Sequence, residues 1–450
     1  MKNILLITID SLRPDHIHHL GYSRHTTPNL DQLARDGITF QNAISNGPST
    51  RFAFVSILAS DYSFIQPGLG LSSAIETTLA EALESSGYTT AAFHTVGWLS
   101  HVYGYDRGFS AYFDETKWGP LEGQFKYLVR KTLGRWLPPM SNIISSIRKL
   151  LSFAGQSGHR LAFSYRPAPE INSRAISWIQ AQRQPCFIWL HYMDAHLPYW
   201  PRDEHLVEFR GSAVSVEQAI SVCEQAHRNF SSLTGEQRKL LIDLYDAEIK
   251  YVDQSIADLI QELDDWLIVI TADHGEEFGE HGGFHQHSVF DEMLRVPLII
   301  RPPDHSGGLS IPSQVSLIDI APTVLDLLDL PPVAGFRGES LVPYFDGRVQ
   351  EDRCILSGYI DQDDRVIACR DGKWKLIVSE SHINRLFDFK LDPLEKNNMI
   401  HEYPDIAEKL EKFIHDNTSE LIEKSANFGD QFGLTETSKE RLRDLGYLDF

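Results

Sequence analysis

The sequence predicts an α/β protein, with a main sheet flanked by helices and a smaller antiparallel sheet near the C-terminus. Apolar, strand-like runs alternate with helical patterns from the N-terminus to about residue 330, the order that builds a layered α/β domain. From about Arg353 the rhythm shortens to ILSGYI, RVIACR, WKLIV and RLFDFK separated by turns, as in a small antiparallel sheet. Three of the longer apolar runs also end directly in ionisable residues, where an open α/β sheet presents ligand-binding groups at its carboxyl edge. The expected organisation is a catalytic domain over residues 1–350 and a small sheet-and-helix subdomain over 351–450.

Asn3 to Ile9 reads as a buried first strand that ends at Asp10. Thr27 to Ala34 has a Pro near a helix start followed by apolar spacing at three and four residues, and Gly37 supplies a stop. Ile38 to Ala43 resembles a second strand, and after the turn Asn46-Gly47-Pro48 the segment FAFVSILAS reads as a helix. Ser49 and Thr50 therefore sit at a helix N-terminus, where unpaired N–H groups favour an anion; the plainer reading makes one of them only the N-cap. Thr78 to Ser86 suits a helix, Tyr88 to His94 a strand, Ala175 to Arg183 a helix and Cys186 to Tyr192 a buried strand. That strand runs into His191, Asp194 and His196, before Pro198 and Pro201 rule out a helix. Val216 to Leu263 reads as helices, and the strand at Ile268 then opens IVITADHGEEFGEHGGFHQH, which delivers Asp273, His274, His281, His285 and His287. Val296 to Ile300 is another strand, Asp319 begins a helix, and Pro404 to Asn417 forms the last one.

Net charge is -21, which argues against a nucleic-acid partner. Residues 119–167 break that balance, with eight basic residues against one acidic, interleaved with Phe, Trp, Leu and Ile. The segment is expected to form an inserted helical lid or a membrane-surface contact, with an exposed flank packed on the acidic body as the plainer alternative. The four cysteines show no metal-knuckle spacing and suggest no disulfide framework. The N-terminal apolar run is too short for a secretory signal, so a cytoplasmic location is the expectation.

Oxygen and imidazole donors without thiolate suit a divalent Ca, Mg, Mn or Zn ion. A metal beside a hydroxyl lowers its pKa and screens an anionic ester, so displacement at phosphorus or sulfur is the natural reaction. A histidine beyond the metal would then protonate the leaving oxygen.

ITIDSLRPDHIHHLGYSRHTTPNLDQLARDGITF, GYTTAAFHTVGWLS, YDRGF, HYMDAHLPY, TADHGEEFGEHGGFHQHSVFDEMLRVPLIIRPP, DIAPTVLDLL, LFDFKLDPLEKNN and LRDLGYL occur in that order. On these segments the chain resembles the sulfatase branch of the alkaline phosphatase superfamily over nearly its whole length. The resemblance implies an alkaline-phosphatase-like mixed sheet flanked by helices. It implies that Asp10, Asp273 and His274 bind metal, that His196 contacts the ester or assists the leaving group, and that His285 steadies the anion. Anchoring on Ser56-Ile-Leu puts Thr50 in the nucleophile slot, where it also touches the metal. Phe52 and Phe54 stand where the formylglycine maturation motif has Pro and Arg, so no formylglycine is expected and Thr50 acts as a plain hydroxyl. Ser11 replaces a second family aspartate, His274 a common Asn, and Thr95 and Gly97 the family's Lys and His.

These departures tilt the expected substrate from sulfate towards a phosphate mono- or diester, with lipid or glycan esters in scope. A sulfatase working without formylglycine is the second reading, and a catalytically silent anion- or membrane-binding protein the third. His94, His191 and Arg13 are expected on the substrate side, although Arg13 could equally pair with Asp15. Glu276, Glu277 and Glu280 are expected to form a solvated turn, and His16, His18, His19, His25 and His101 to be surface histidines.

Overall fold

Six consecutive apolar or β-branched residues, Ile4–Ile9, have no polar alternation, and the strand they form, β1, is buried along its whole length. In the computed structural model, which describes residues 2–65, 70–71, 75–114, 165–263, 265–285, 287–303, 307–346, 353–361 and 364–426, β1 lies inside an eight-stranded sheet. The other strands of that sheet are β2 (Ile38–Ile44), β3 (Thr89–Phe93), β4 (Ala111–Phe113), β5 (Cys186–Tyr192), β6 (Leu267–Ala272), β7 (Arg295–Arg301) and β8 (Leu309–Ser316). Their spatial order is β4-β3-β5-β1-β6-β7-β2-β8. The neighbours of β7 pair with it antiparallel and the other pairs are parallel, so the sheet is mixed.

The α-helices longer than one turn among the described residues are α1 (Pro28–Asp36), α2 (Thr50–Ala59), α3 (Leu79–Ser85), α4 (Ala168–Ile179), α5 (Asp203–Arg210), α6 (Val216–Asn229), α7 (Gly235–Ile260), α8 (Ile320–Leu327) and α9 (Pro404–Ala426). Thr234 closes a capping box at the start of α7, with Gln237 reaching back to the Thr234 backbone. α2 is buried on nearly every side rather than on one stripe, which marks it as a core helix. The second sheet has the order β12-β11-β10-β9, with β9 at Ile355–Asp361, β10 at Asp364–Arg370, β11 at Trp374–Ser379 and β12 at Arg385–Asp388, all antiparallel.

Two strands escape a sequence reading. β4 has only three residues, and β8 carries Pro312, whose missing N–H is tolerated because β8 is an edge strand. The helix expected over 175–183 begins seven residues earlier and ends four earlier, at Ala168–Ile179, with Ala168 at its first position behind Pro167. The last helix continues past Asn417 to Ala426. The basic segment 119–167, apart from residues 165–167, and the terminal LRDLGYL fall outside the described residues. No helix among the described residues is long and apolar enough to cross a membrane.

Candidate active site

Strand register assembles the site. Ile9 pairs with Tyr192 on one side and Ala272 on the other, so the next residue, Asp10, emerges beside Asp273. Thr8 is in register with His191, and Phe93 with Leu190, which brings His94 level with His191 across the edge. The carboxyl ends of four adjacent strands, β3, β5, β1 and β6, thus supply His94, His191, Asp10 and Asp273, as the topology of open α/β sheets favours.

Asp10 and Asp273 are fully buried. Thr50, the first residue of α2, donates its hydroxyl to Asp10 Oδ2 at 3.0 Å. Ser49 is the N-cap, but its Oγ is buried without a hydrogen bond, so Thr50 is the hydroxyl engaged by the carboxylates. His274 Nε2 stands 3.4 Å from Asp10 Oδ1 and 3.7 Å from Asp273 Oδ2, and His191 Nε2 stands 3.4 Å from Asp10 Oδ2. His274 Nδ1 meets the Gly275 carbonyl at 2.7 Å; a carbonyl only accepts, so Nδ1 carries a proton and Nε2 is the nitrogen turned to the two carboxylates. Ser11, held at φ 60, donates its backbone N–H to Asp273 Oδ1 and its hydroxyl to Asp10 Oδ1.

Burial pushes the Asp10 carboxyl up, but His196, His191 and His274 outweigh it and hold the group below the usual carboxylate range. Asp273 is driven the other way, first by burial and then by the Asp10 charge. Burial works against the His274 imidazolium, and Asp273 and Asp10 raise its pKa nevertheless. Two adjacent buried carboxylates facing imidazole nitrogens are arranged as a divalent cation requires. Asp273 Oδ2 and His191 Nε2 are both buried without a hydrogen bond, and one ligand atom each from Asp10, His191 and Asp273 lies within 4.8 Å of the others. The residues fit a metal ion.

A second layer faces the cluster. His196 Nδ1 contacts the Leu197 carbonyl at 2.5 Å and so is protonated there, while burial lowers the ring's pKa to about 4. Its ring centroid lies 4.6 Å from that of His285 in an edge-to-face contact. His285 Nδ1 sits 2.9 Å from Glu276 Oε2, and although burial opposes it, this carboxylate raises the imidazole's pKa. Glu276 is fully buried and also accepts from Tyr199 Oη at 2.9 Å.

Several expectations are corrected here. Glu276 and Glu277 do not form a solvated turn; both are buried, and Glu277 Oε1 accepts from the Gly283 N–H. His16 is buried, 2.6 Å from Asp246 Oδ1 through Nδ1, instead of lying on the surface. Arg13 takes its structural alternative: Nε and Nη2 bond Asp15, and Nη1 bonds Glu280 and the Glu276 carbonyl. His281 is drawn off to Glu292 at 2.6 Å. His191, placed on the substrate side by sequence, stands in the carboxylate cluster. His94 is buried behind it with Nδ1 accepting from Val96 N, and burial and then His191 push its pKa to about 3. Glu276 and Tyr199 are site residues that sequence reasoning missed, though Tyr199 closes the same H-x-P-Y segment that marked His196.

The carboxyl edge of a mixed α/β sheet thus gathers carboxylates, imidazoles and a helix-borne hydroxyl. The family model described as Sulfatase matches residues 2–330, and one described as N-sulphoglucosamine sulphohydrolase, C-terminal, matches residues 279–423. The chain belongs to the sulfatase family, and so is a sulfatase-like hydrolase of anionic esters. It is 26% identical over 447 residues to a choline-sulfatase of Rhizobium meliloti, spanning 88% of this chain and 82% of the relative. It is 33% identical over 159 residues to arylsulfatase K of Rattus norvegicus, spanning 32% of this chain and 28% of that one. Its fold matches the phosphonate monoester hydrolase of Agrobacterium radiobacter with a TM-score of 0.72 at 21% identity, covering 94% of this chain and 96% of the other.

Proposed function

We propose that the chain is a metal-dependent hydrolase, or transferase, of phosphate mono- or diesters that uses Thr50 as its nucleophile. The observation that carries this reading is the Thr50 hydroxyl at the first turn of α2, 3.0 Å from the buried Asp10 carboxylate. Asp10, Asp273, His274 and Thr50 would hold the divalent ion, which when bound lowers the pKa of a neighbouring hydroxyl and screens the ester's charge. Thr50 Oγ1 passes its proton to the Asp10 carboxylate it already bonds and attacks phosphorus, the bond to the leaving alkoxide breaks, and a phosphothreonine results. His285, kept as imidazolium by Glu276, steadies the anion and gives its proton to the leaving oxygen. His196, with its Nδ1 proton committed to a carbonyl, keeps a lone pair on Nε2 and suits the base that activates water, or an acceptor alcohol, to release the product.

Sulfate is the rival substrate, favoured by the choline-sulfatase relative. A direct assay of aryl phosphate, phosphodiester, phosphonate and sulfate esters with Ca, Mg, Mn and Zn separates the two. Thr50→Ala is expected to lower turnover at least about 1,000-fold, as loss of a covalent nucleophile does. Turnover retained in that protein would remove Thr50 from its role. No turnover of any ester in the wild type, with every metal tried, would support silent anion binding instead.

A further inference from the structure

Thr8 fixes which nitrogen of His191 carries the proton. Its one hydroxyl hydrogen is donated to the Leu190 carbonyl at 3.2 Å, and its oxygen accepts Trp189 Nε1–H at 3.0 Å. The 2.9 Å contact between Thr8 Oγ1 and His191 Nδ1 is then satisfied only when the imidazole donates. Nε2 is left with the lone pair. It lies 3.4 Å from Asp10 Oδ2, a carboxylate oxygen that also only accepts, and makes no hydrogen bond to any described group.

His274 repeats the pattern from the other side, its Nδ1 tied to the Gly275 carbonyl and its Nε2 turned to Asp10 Oδ1. The two oxygens of one buried carboxylate therefore each face an imidazole Nε2, and the lone pairs of Asp273 Oδ2 join them without a hydrogen-bond donor. Buried acceptors converging on one another are costly unless a cation lies among them. An Nδ1–H held by a hydroxyl or carbonyl is also how a metal-binding histidine is oriented from behind.

We infer that His191 is a protein ligand of the metal beside Asp10, Asp273 and His274, and that this pair of imidazoles makes the site select a borderline transition ion, of the Zn kind, over Ca or Mg. Carboxylates alone suit the hard alkaline-earth ions; two nitrogen donors shift the preference along the transition series. The inference rests on the proposed metal dependence, but on neither the Thr50 nucleophile nor the identity of the ester.

The test uses the metal-free full chain. X-ray absorption of the zinc-loaded wild type is expected to count two imidazoles, and calorimetric titration to show zinc bound at least about 100-fold more tightly than calcium. His191→Ala is expected to leave one imidazole and weaken zinc about 100-fold with little change for calcium. Thr8→Val keeps the imidazole but removes its Nδ1 partner, and is expected to weaken zinc by roughly 10- to 100-fold. A single imidazole in the wild type, equal zinc affinity in His191→Ala, or no divalent ion bound at all would overturn the inference, the last assigning the space to a proton. The wild-type count needs no variant to fold. Two imidazoles in a protein that turns over no ester would keep the inference and remove the proposed function.

Discussion

Glu276 governs the charge on His285 and faces His196. Burial raises its pKa, but His285, His196 and Tyr199 together hold it below 4.5, and Glu276 in turn lifts His285 above 6.5. The His285 contribution to stability is complete below pH 6.5 and is lost as pH rises through its raised folded value; that of Glu276 is complete above pH 4.5 and is lost as pH falls through its lowered one. The pair is therefore fully engaged between about pH 4.5 and 6.5. Glu276→Gln in the metal-free protein is expected to cost about 2 kcal/mol in that window and less above it, since a charge-assisted hydrogen bond contributes about 1.5–3 kcal/mol. Thermal melts of both proteins from pH 5 to 9 check this, and a difference that does not change with pH would refute it. Asp10, Thr50, Asp273 and His274 were legible in the sequence because each follows an apolar strand or opens a helix. Glu276 was not, because its burial depends on Tyr199 and His285, and nothing in EEFGEH distinguishes a paired carboxylate from solvated ones.

The connection from β2 to α2 is the element that aims Thr50, and the small sheet holds it. Ser357 Oγ donates to the Ser45 carbonyl at 2.6 Å, Gly358 N to the Asn46 carbonyl at 2.9 Å, and Asn46 Nδ2 to the Leu356 carbonyl at 2.8 Å. Asn46 Oδ1 accepts from Ser316 Oγ and Ile318 N, so this one side chain ties β9, β8 and the turn together. Gly47 is required by close approach: a Cβ there would fall 2.5 Å from Phe52 Cβ and 2.6 Å from the Phe52 carbonyl carbon. Gly47→Ala must shift the first turn of α2 and with it Thr50. Overpacking of this kind costs about 1–3 kcal/mol, and a displacement of about 1 Å at the proposed nucleophile lowers turnover about 100-fold. Steady-state kinetics beside a thermal melt would measure both, and wild-type turnover in that variant would show that the turn does not position Thr50. The turn itself was readable from Asn46-Gly47-Pro48. Its clamps were not, because β8 hides behind Pro312 and the contacts from β9 span more than 300 residues of sequence.

At the scale of the whole molecule, the two sheets share a core. Ile44, Val289, Phe290 and Leu294 from the body pack with Ile355, Val366, Ala368, Ile377 and Phe387 from the small sheet. Beside that core runs a buried charge seam. Lys375 on β11 is wholly inaccessible and pairs with Asp291 at 2.9 Å and Glu395 at 2.8 Å, while Arg370 on β10 reaches the same Asp291 at 3.1 Å. Burial works against each charge, yet Asp291 and Glu395 hold the Lys375 pKa above its ordinary value, and Lys375 and Arg370 hold Asp291 below its own. Removing one member of such a seam strands the others without water. Lys375→Met is therefore expected to cost about 3–5 kcal/mol, the range for breaking a buried ion pair from one side. Because the seam and the shared core cross between the sheets, the wild type is expected to show one cooperative calorimetric transition. A chain ending at residue 350 would leave Ile44, Val289, Phe290 and Leu294 uncovered and Asp291 without its lysine and arginine, and is expected to be recovered only as aggregate. Two resolved transitions in the wild type, or a soluble, melting-competent 1–350 fragment, would mean that the body folds without its small sheet, and that the clamps on the Thr50 turn are dispensable for stability.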